Sequence, residues 1–184
     1  MKWAPEQTPL SDARLASLAA GDALLLSGTL LTARDQAHRR IEEMTRRGEA
    51  LPVALSGELI YFMGPSPAPP GRAIGAAGPT TSSRMDRYTE TMLSLGVRGF
   101  IGKGRRSPET KELIRRRGAV YFVTFGGAAA YLGMRIIAAE PVAFADLGPE
   151  AVYRLTVRDF PIIVAYDLHG GDLYEAGIRG PAGI

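Results

Sequence analysis

Cysteine is absent from the 184 residues. That excludes a disulfide framework, a thiolate nucleophile, a zinc–sulfur site and an iron–sulfur cluster held by the chain itself. Histidine is nearly as scarce, His38 and His169 being the only two. This rules out a multi-histidine metal centre, and no metal ligand is assigned. Long hydrophobic runs are missing: none approaches the roughly 20 apolar residues that span a bilayer. The opening Met1-Lys2-Trp3-Ala4-Pro5 has no apolar core of the secretory kind. A soluble cytoplasmic protein without a membrane partner is the expectation. Runs of one charge are also lacking, Arg115-Arg116-Arg117 being the exception, and the net charge is only +3. A nucleic-acid binder concentrates its cations in one stripe, so no nucleic-acid partner is expected. Lysine is rare, with three (Lys2, Lys103, Lys111) against 19 arginines. Such a split arises from a GC-rich coding sequence; the functional alternative is that some arginine forks bind carboxylate or phosphate.

What is present is ordinary globular composition, 46% hydrophobic and 22% charged. The length suits one domain, taken as residues 1–184. Ser11 and Asp12 predict a short helix ended by Gly21. Ala23–Leu26 and Thr29–Leu31 read as a strand broken at Ser27-Gly28. Thr32 or Asp35 can cap a helix running to about Arg47, with Ala37, Ile41 and Met44 on one face. Leu59–Met63 and Arg72–Ala77 read as strands around a proline-rich surface loop, 64–71. A helix is predicted over Ser83–Leu95, with Ser83 and Asp86 as a capping-box variant. Val97–Ile101 is a buried strand, Ser107-Pro108-Glu109 a helix start, and Ala119–Phe125 another buried strand. Gly126-Gly127 opens a short alanine-rich helix. Val142–Phe144, Val152–Val157 and Ile162–Tyr166 are late strands, and the tail from about Glu175 reads as frayed. Alternating strands and helices argue for α/β architecture with a mixed or split sheet and flanking helices.

Three strand ends carry cations beside glycine or threonine: Thr32-Ala33-Arg34-Asp35, Gly78-Pro79-Thr80-Thr81-Ser82-Ser83-Arg84, and Gly102-Lys103-Gly104-Arg105. Open α/β sheets bind ligands at the carboxyl ends of their strands. Singly, Arg34, Arg84 and Lys103 read as surface cations; together they suit a small polyanion. Neither glycine cluster is a Walker loop or a dinucleotide fingerprint. Ser56-Gly57 is not a nucleophile elbow. His38 follows Arg34 by one helical turn. It reads either as a locally satisfied histidine or as a group that steadies Arg34 or a carboxylate. His169, in Asp167-Leu168-His169-Gly170-Gly171-Asp172, reads as a turn residue, and Tyr121, Phe122 and Phe125 as core.

These segments resemble a known family. Leu30 to Arg40, Gly78-Pro79-Thr80-Thr81-Ser82-Ser83-Arg84-Met85-Asp86, Gly102-Lys103-Gly104, Asp146-Leu147-Gly148-Pro149-Glu150-Ala151 and Val157-Arg158-Asp159-Phe160-Pro161 are similar to the beta subunit of iron–sulfur (class I) fumarate hydratases and L-tartrate dehydratases. The same unit forms the C-terminal domain of the single-chain enzymes, and the likeness covers about residues 8–175, with 176–184 left as a tail. It implies a swivelling β/β/α domain and a cysteine-containing alpha subunit holding a [4Fe-4S] cluster, in a hetero-oligomer such as α2β2. It implies a hydro-lyase acting on a C4 dicarboxylate: fumarate and (S)-malate, or tartrate giving oxaloacetate. By the same resemblance Arg34, Thr81, Arg84 and Lys103 bind substrate, Thr80 is catalytic through proton transfer, and His38 is a candidate supporting group. A non-catalytic anion-binding module on the same fold is the alternative from another class.

Overall fold

The computed structural model describes residues 2–179. Its strands are β1 (Trp3–Gln7), β2 (Ala23–Thr32), β3 (Leu59–Tyr61), β4 (Gly99–Gly102), β5 (Val120–Val123), β6 (Ile136–Ala143) and β7 (Val152–Tyr166). Its helices are α1 (Asp12–Ser17), α2 (Asp35–Arg46), α3 (Thr89–Ser94), α4 (Pro108–Arg116), α5 (Ala129–Met134) and α6 (Leu173–Arg179), with 3₁₀ turns at Ser82–Tyr88 and Ala145–Glu150. No helix among the described residues is long and apolar enough to cross a membrane.

The strand order is β1-β2-β3-β4-β5-β7-β6, and β7 also pairs with β2. β2, β3, β4 and β5 are parallel, and β7 runs antiparallel to both β5 and β2. The sheet therefore closes on itself as a small barrel, which leaves few free edges. Leu24, Leu26, Leu30, Leu59, Tyr61, Ile101, Val120, Phe122, Leu155 and Phe160 form one buried cluster, with Leu15 and Leu18 packed against them. Their alternating neighbours Leu31, Ile60, Phe62, Phe100 and Tyr121 form a second, with Ala37, Ile41, Met85, Met92 and Ile114 from the helical layer. Burial on both faces explains why the parallel strands read as unbroken apolar runs.

Several expectations are corrected. β2 is continuous; at Ser27 it is bulged, not broken, the register shifting between Leu26 and Gly28. Gly28 has φ 112°, and a Cβ there would lie 2.3 Å from the Thr8 hydroxyl, so glycine is required twice over. Arg72–Ala77 is not a strand. Val152–Val157 and Ile162–Tyr166 are parts of one 15-residue strand, Val152–Tyr166, whose partner β6 starts at Ile136, well before Val142. Neither Thr32 nor Asp35 caps α2: Arg34 occupies that position with an extended backbone and no side-chain cap bond. The predicted helix over Ser83–Leu95 is a 3₁₀ turn passing into α3, and Asp86 does not cap it. Leu173–Arg179 is helical where a frayed tail is expected, because Asp172 accepts from the amides of Tyr174 and Glu175 and caps it. The rest of the tail, 180–184, lies outside the described residues.

Candidate active site

The parallel strands β2, β3, β4 and β5 deliver their carboxyl ends to one rim. Ladder bonds continue past the strands: Ala33 N donates to Tyr61 O, Phe62 N to Ile101 O and Thr124 N to Gly102 O, at 2.9–3.2 Å. The first residues beyond β2 and β4 are Ala33-Arg34 and Lys103. The segment 78–82 returns to the same rim. Thr80 N donates to Phe62 O at 2.7 Å, Ser82 N donates to Lys103 O at 3.0 Å, and Thr81 bridges Lys103 in parallel. Thr80 and Thr81 are thus sewn to the ends of β3 and β4, and Arg34 and Lys103 leave the rim beside them. Arg84 enters from the 3₁₀ turn that follows.

Glycine makes this seam possible. A Cβ on Gly102 would lie 2.0 Å from Ser82 Oγ and 3.0 Å from the Phe62 ring. With glycine there, Ser82 Oγ accepts from Lys103 N at 3.0 Å and shares a hydrogen bond with the Tyr121 hydroxyl at 2.8 Å. Tyr121 in turn donates to Gly104 O at 2.7 Å. Burial holds the Tyr121 hydroxyl above the ordinary phenol range, so it stays a neutral strut.

Both arginines sit against carboxylates. Arg84 is half exposed, and its Nε and Nη2 donate to the two oxygens of Asp35 at 3.2 and 2.6 Å, a bidentate fork. Arg34 Nη2 lies 3.5 Å from Glu150 Oε1. Its Nε is buried without a hydrogen-bond partner among the described residues. Lys103 is half-buried and takes part in no ion pair among the described residues. Thr80 is half-buried and Thr81 exposed, and neither hydroxyl is hydrogen-bonded within the described residues.

His38 is buried behind this rim, 5.7 Å from the Tyr88 ring and 5.5 Å from the Phe62 ring, centroid to centroid. Its Nδ1 lies 2.8 Å from the Arg34 carbonyl, to which it donates, and its Nε2 has no partner among the described residues. Desolvation lowers its pKa to about 4, so the ring is neutral at pH 7. It touches the backbone of Arg34 and makes no bond to Thr80. His169 is a turn residue as expected, its amide donating to Asp167 Oδ1 and its Nε2 lying 2.8 Å from Ala16 O.

Sequence reasoning missed the brace under the site. The Arg106 side chain is fully buried. It pairs with Asp86, donates to Thr89 Oγ1 at 2.6 Å, and lies 5.4–5.6 Å from the ring centres of Phe62, Phe100 and Tyr121. Asp86 also accepts from Ser107 N at 2.9 Å. This ties the loop after β4 to the 3₁₀ turn carrying Arg84. In sequence Arg106 is one arginine of 19, and nothing local marks it as buried. Asp35 and Glu150 were missed too. The partner of Asp35 lies 49 residues away and that of Glu150 more than 100.

The fold and rim define an α/β domain that gathers arginine, lysine and threonine at the carboxyl ends of parallel strands, a donor set suited to a small anion. The comparisons narrow this class: the profile of the fumarase C-terminus family matches residues 6–177, and the chain belongs to that family. It is 39% identical over 164 residues to "Fumarate hydratase 2" of Leishmania major, covering 88% of this chain and 29% of that protein. It is 37% identical over 154 residues to "Fumarate hydratase class I, aerobic" of Salmonella typhimurium, covering 83% and 27%. A third relative, "Putative L(+)-tartrate dehydratase subunit beta" of Methanocaldococcus jannaschii, is 39% identical over 164 residues, which are 86% of this chain and 84% of that one. The chain thus spans under a third of the fumarate hydratases and most of the tartrate dehydratase subunit.

Proposed function

We propose that this chain is the beta-type domain of a two-component iron–sulfur hydro-lyase, a single domain of the swivelling β/β/α type, hydrating fumarate and dehydrating (S)-malate. The observation that carries the reading is the rim: Thr80 and Thr81 stitched between the ends of β3 and β4, with Lys103 bridged to Thr81. The family match supports it.

Dehydrating malate takes a proton from carbon beside a carboxylate and expels hydroxide. Negative charge builds up beside groups that are already anionic, so fixed cations lower the barrier. In this reading Arg34, Arg84 and Lys103 hold the two carboxylates, arginine as a fork and lysine as a point charge. Thr81 donates a hydrogen bond to substrate, and the Thr80 hydroxyl carries the proton. A threonine hydroxyl is a weak base and needs an activating neighbour. No described residue hydrogen-bonds to Thr80 Oγ1, so the activating group is assigned to the partner. The neutral, enclosed His38 is assigned the role of steadying the Arg34 backbone. The chain has no thiolate, and among its described residues no three His, Asp or Glu side chains gather as metal ligands, so its own residues do not fit an iron–sulfur cluster. The reading places the cluster in a cysteine-bearing alpha subunit.

The tartrate alternative keeps a specific support, the match over 84% of a tartrate dehydratase beta subunit. Co-expression with a cysteine-bearing alpha subunit under anoxia, then assay on malate, fumarate and tartrate, decides between them. Turnover of malate with Thr80→Val reduced about 10²–10⁴-fold in kcat supports the fumarase reading. Turnover of tartrate alone replaces it with the second reading. Anion binding without turnover of any of the three would identify a non-catalytic module.

A further inference from the structure

The segment Asp146-Leu147-Gly148-Pro149-Glu150 contributes nothing to the proposed chemistry, yet it is fastened to α2 at several points. Arg40, on α2, donates to both oxygens of Asp146 at 2.7 and 2.8 Å, and its guanidinium lies 5.0 Å from the centre of the Phe144 ring. Tyr153 donates from its hydroxyl to Gly148 O at 3.2 Å. Gly148 has φ 55° and ψ −119°, a conformation that only glycine adopts readily. The outcome of this folding is the placement of one carboxylate. Glu150 Oε2 accepts from Gln36 N at 2.9 Å, capping α2 from more than 100 residues away. Its other oxygen lies 3.5 Å from Arg34 Nη2.

Arg34 is bounded on a second side. A Cβ on Gly64 would lie 2.7 Å from Arg34 Nη1 and 2.9 Å from Pro149 O, so a side chain at 64 would strike both. The guanidinium therefore rests against a bare backbone, with Glu150 beside it. At 3.5 Å the Arg34–Glu150 contact is longer than a charge-assisted hydrogen bond. The carboxylate attracts the cation without consuming its donors. Glu150 thus uses one oxygen on the amide of Gln36 and turns the other toward Arg34.

We infer that Glu150 is a positioning residue: anchored on the N-terminus of α2, it holds the Arg34 guanidinium in place with its donors free for a substrate carboxylate. The inference rests on the proposed role of Arg34. Glu150→Gln separates charge from capping, because its amide oxygen still accepts from Gln36 N. Glu150→Ala removes both. Each is measured with Arg34→Lys and the Arg34→Lys/Glu150→Gln double variant, in the complex with the alpha subunit, on malate.

Positioning predicts that Glu150→Gln raises KM about 5–20-fold with kcat within about twofold, since binding is weakened without touching the reacting atoms. The melting temperature should stay within about 2 °C of wild type, and the double variant should be no worse than Arg34→Lys, since both changes remove one function. Faster hydrogen exchange at Arg34 Nε in Glu150→Gln is the matching readout outside catalysis. If Glu150→Gln leaves KM unchanged while Arg34→Lys raises it, Glu150 is only a helix cap and the inference fails alone. Multiplying effects in the double variant would also overturn it. If Arg34→Lys leaves KM unchanged, the role of Arg34 fails and the inference falls with it.

Discussion

His38 gives a stability test that needs neither partner nor substrate. The ring is enclosed between Tyr88 and Phe62, and burial lowers its pKa from 6.5 to about 4. The neighbouring Arg106 cation lowers it further, while the bond to the Arg34 carbonyl and the Asp35 carboxylate oppose the shift. The unfolded chain takes up the proton first, so folding is disfavoured as pH falls from the unfolded value towards the folded one. The contribution is fully present above about pH 6.5 and lost on descending to about pH 4, for a total near 3 kcal/mol at about 1.36 kcal/mol per pKa unit. Linkage of this one site between the two states gives a loss of about 1.4 kcal/mol by about pH 5.5 and about 2.5 kcal/mol by about pH 4.5.

The variant to compare is His38→Phe, which keeps a ring between Tyr88 and Phe62 and removes the titration. Its offset at neutral pH combines a lost hydrogen bond with relief of the unpartnered Nε2. The shape of the difference curve, not its offset, is therefore diagnostic. Urea unfolding of both proteins at half-unit steps from about pH 7.5 to 4.5 should show wild type losing about 2–3 kcal/mol relative to the variant. Carboxylates titrate alike in both and cancel in the difference. A difference curve flat over that range would mean that His38 is not held neutral and enclosed, and the account of how Arg34 is backed would fail with it.

Other changes probe the rim and its brace. Arg84→Lys and Arg34→Lys should each lower kcat/KM on malate about 10–100-fold in the assembled complex, the loss of one charge-assisted fork, while exposed Arg116→Lys stays near wild type. Asp86→Asn leaves the fully buried Arg106 charge unpaired and should cost about 3–5 kcal/mol in urea unfolding, most of it recovered by Asp86→Leu with Arg106→Met. Gly102→Ala drives a methyl into Ser82 Oγ and should cost about 1–3 kcal/mol, with part regained in the Ser82→Ala background; an unchanged unfolding midpoint would remove Gly102 from the seam.

The sequence showed clearly where helices and strands alternate, because the parallel strands are apolar on both faces and helix boundaries carry local chemistry. Ser11 and Ser107 cap α1 and α4 by the bonds their positions suggest. It did not show closure of the sheet. That depends on β7 crossing from β5 to β2, with the two halves of β7 joined through Asp159 at φ 49°, which reads locally as a break. Arg72–Ala77 reads like a strand but pairs with no strand among the described residues. The glycines and threonines of the candidate site were visible because a tight seam demands small residues at fixed places. Their carboxylate partners were not, because sequence distance hides which acid meets which base.

That gap changes what the site means. Three cations at strand ends, read alone, describe an anion trap whose charges repel each other and await a ligand. The structure shows a more graded arrangement. Asp35 and Glu150 balance the two arginines, Asp35 with full hydrogen bonds to Arg84 and Glu150 at 3.5 Å from Arg34, while Lys103 is left without an ion pair among the described residues. A half-exposed fork such as Arg84–Asp35 is worth little net stability in water, so in the proposed reading a substrate carboxylate exchanges with Asp35 at modest cost. Arg34, already offset from its acid, needs no displacement. In that reading the three cations differ in what they give up to a carboxylate: Lys103 has no ion pair among the described residues, Arg34 stands 3.5 Å from its acid, and Arg84 exchanges one carboxylate for another.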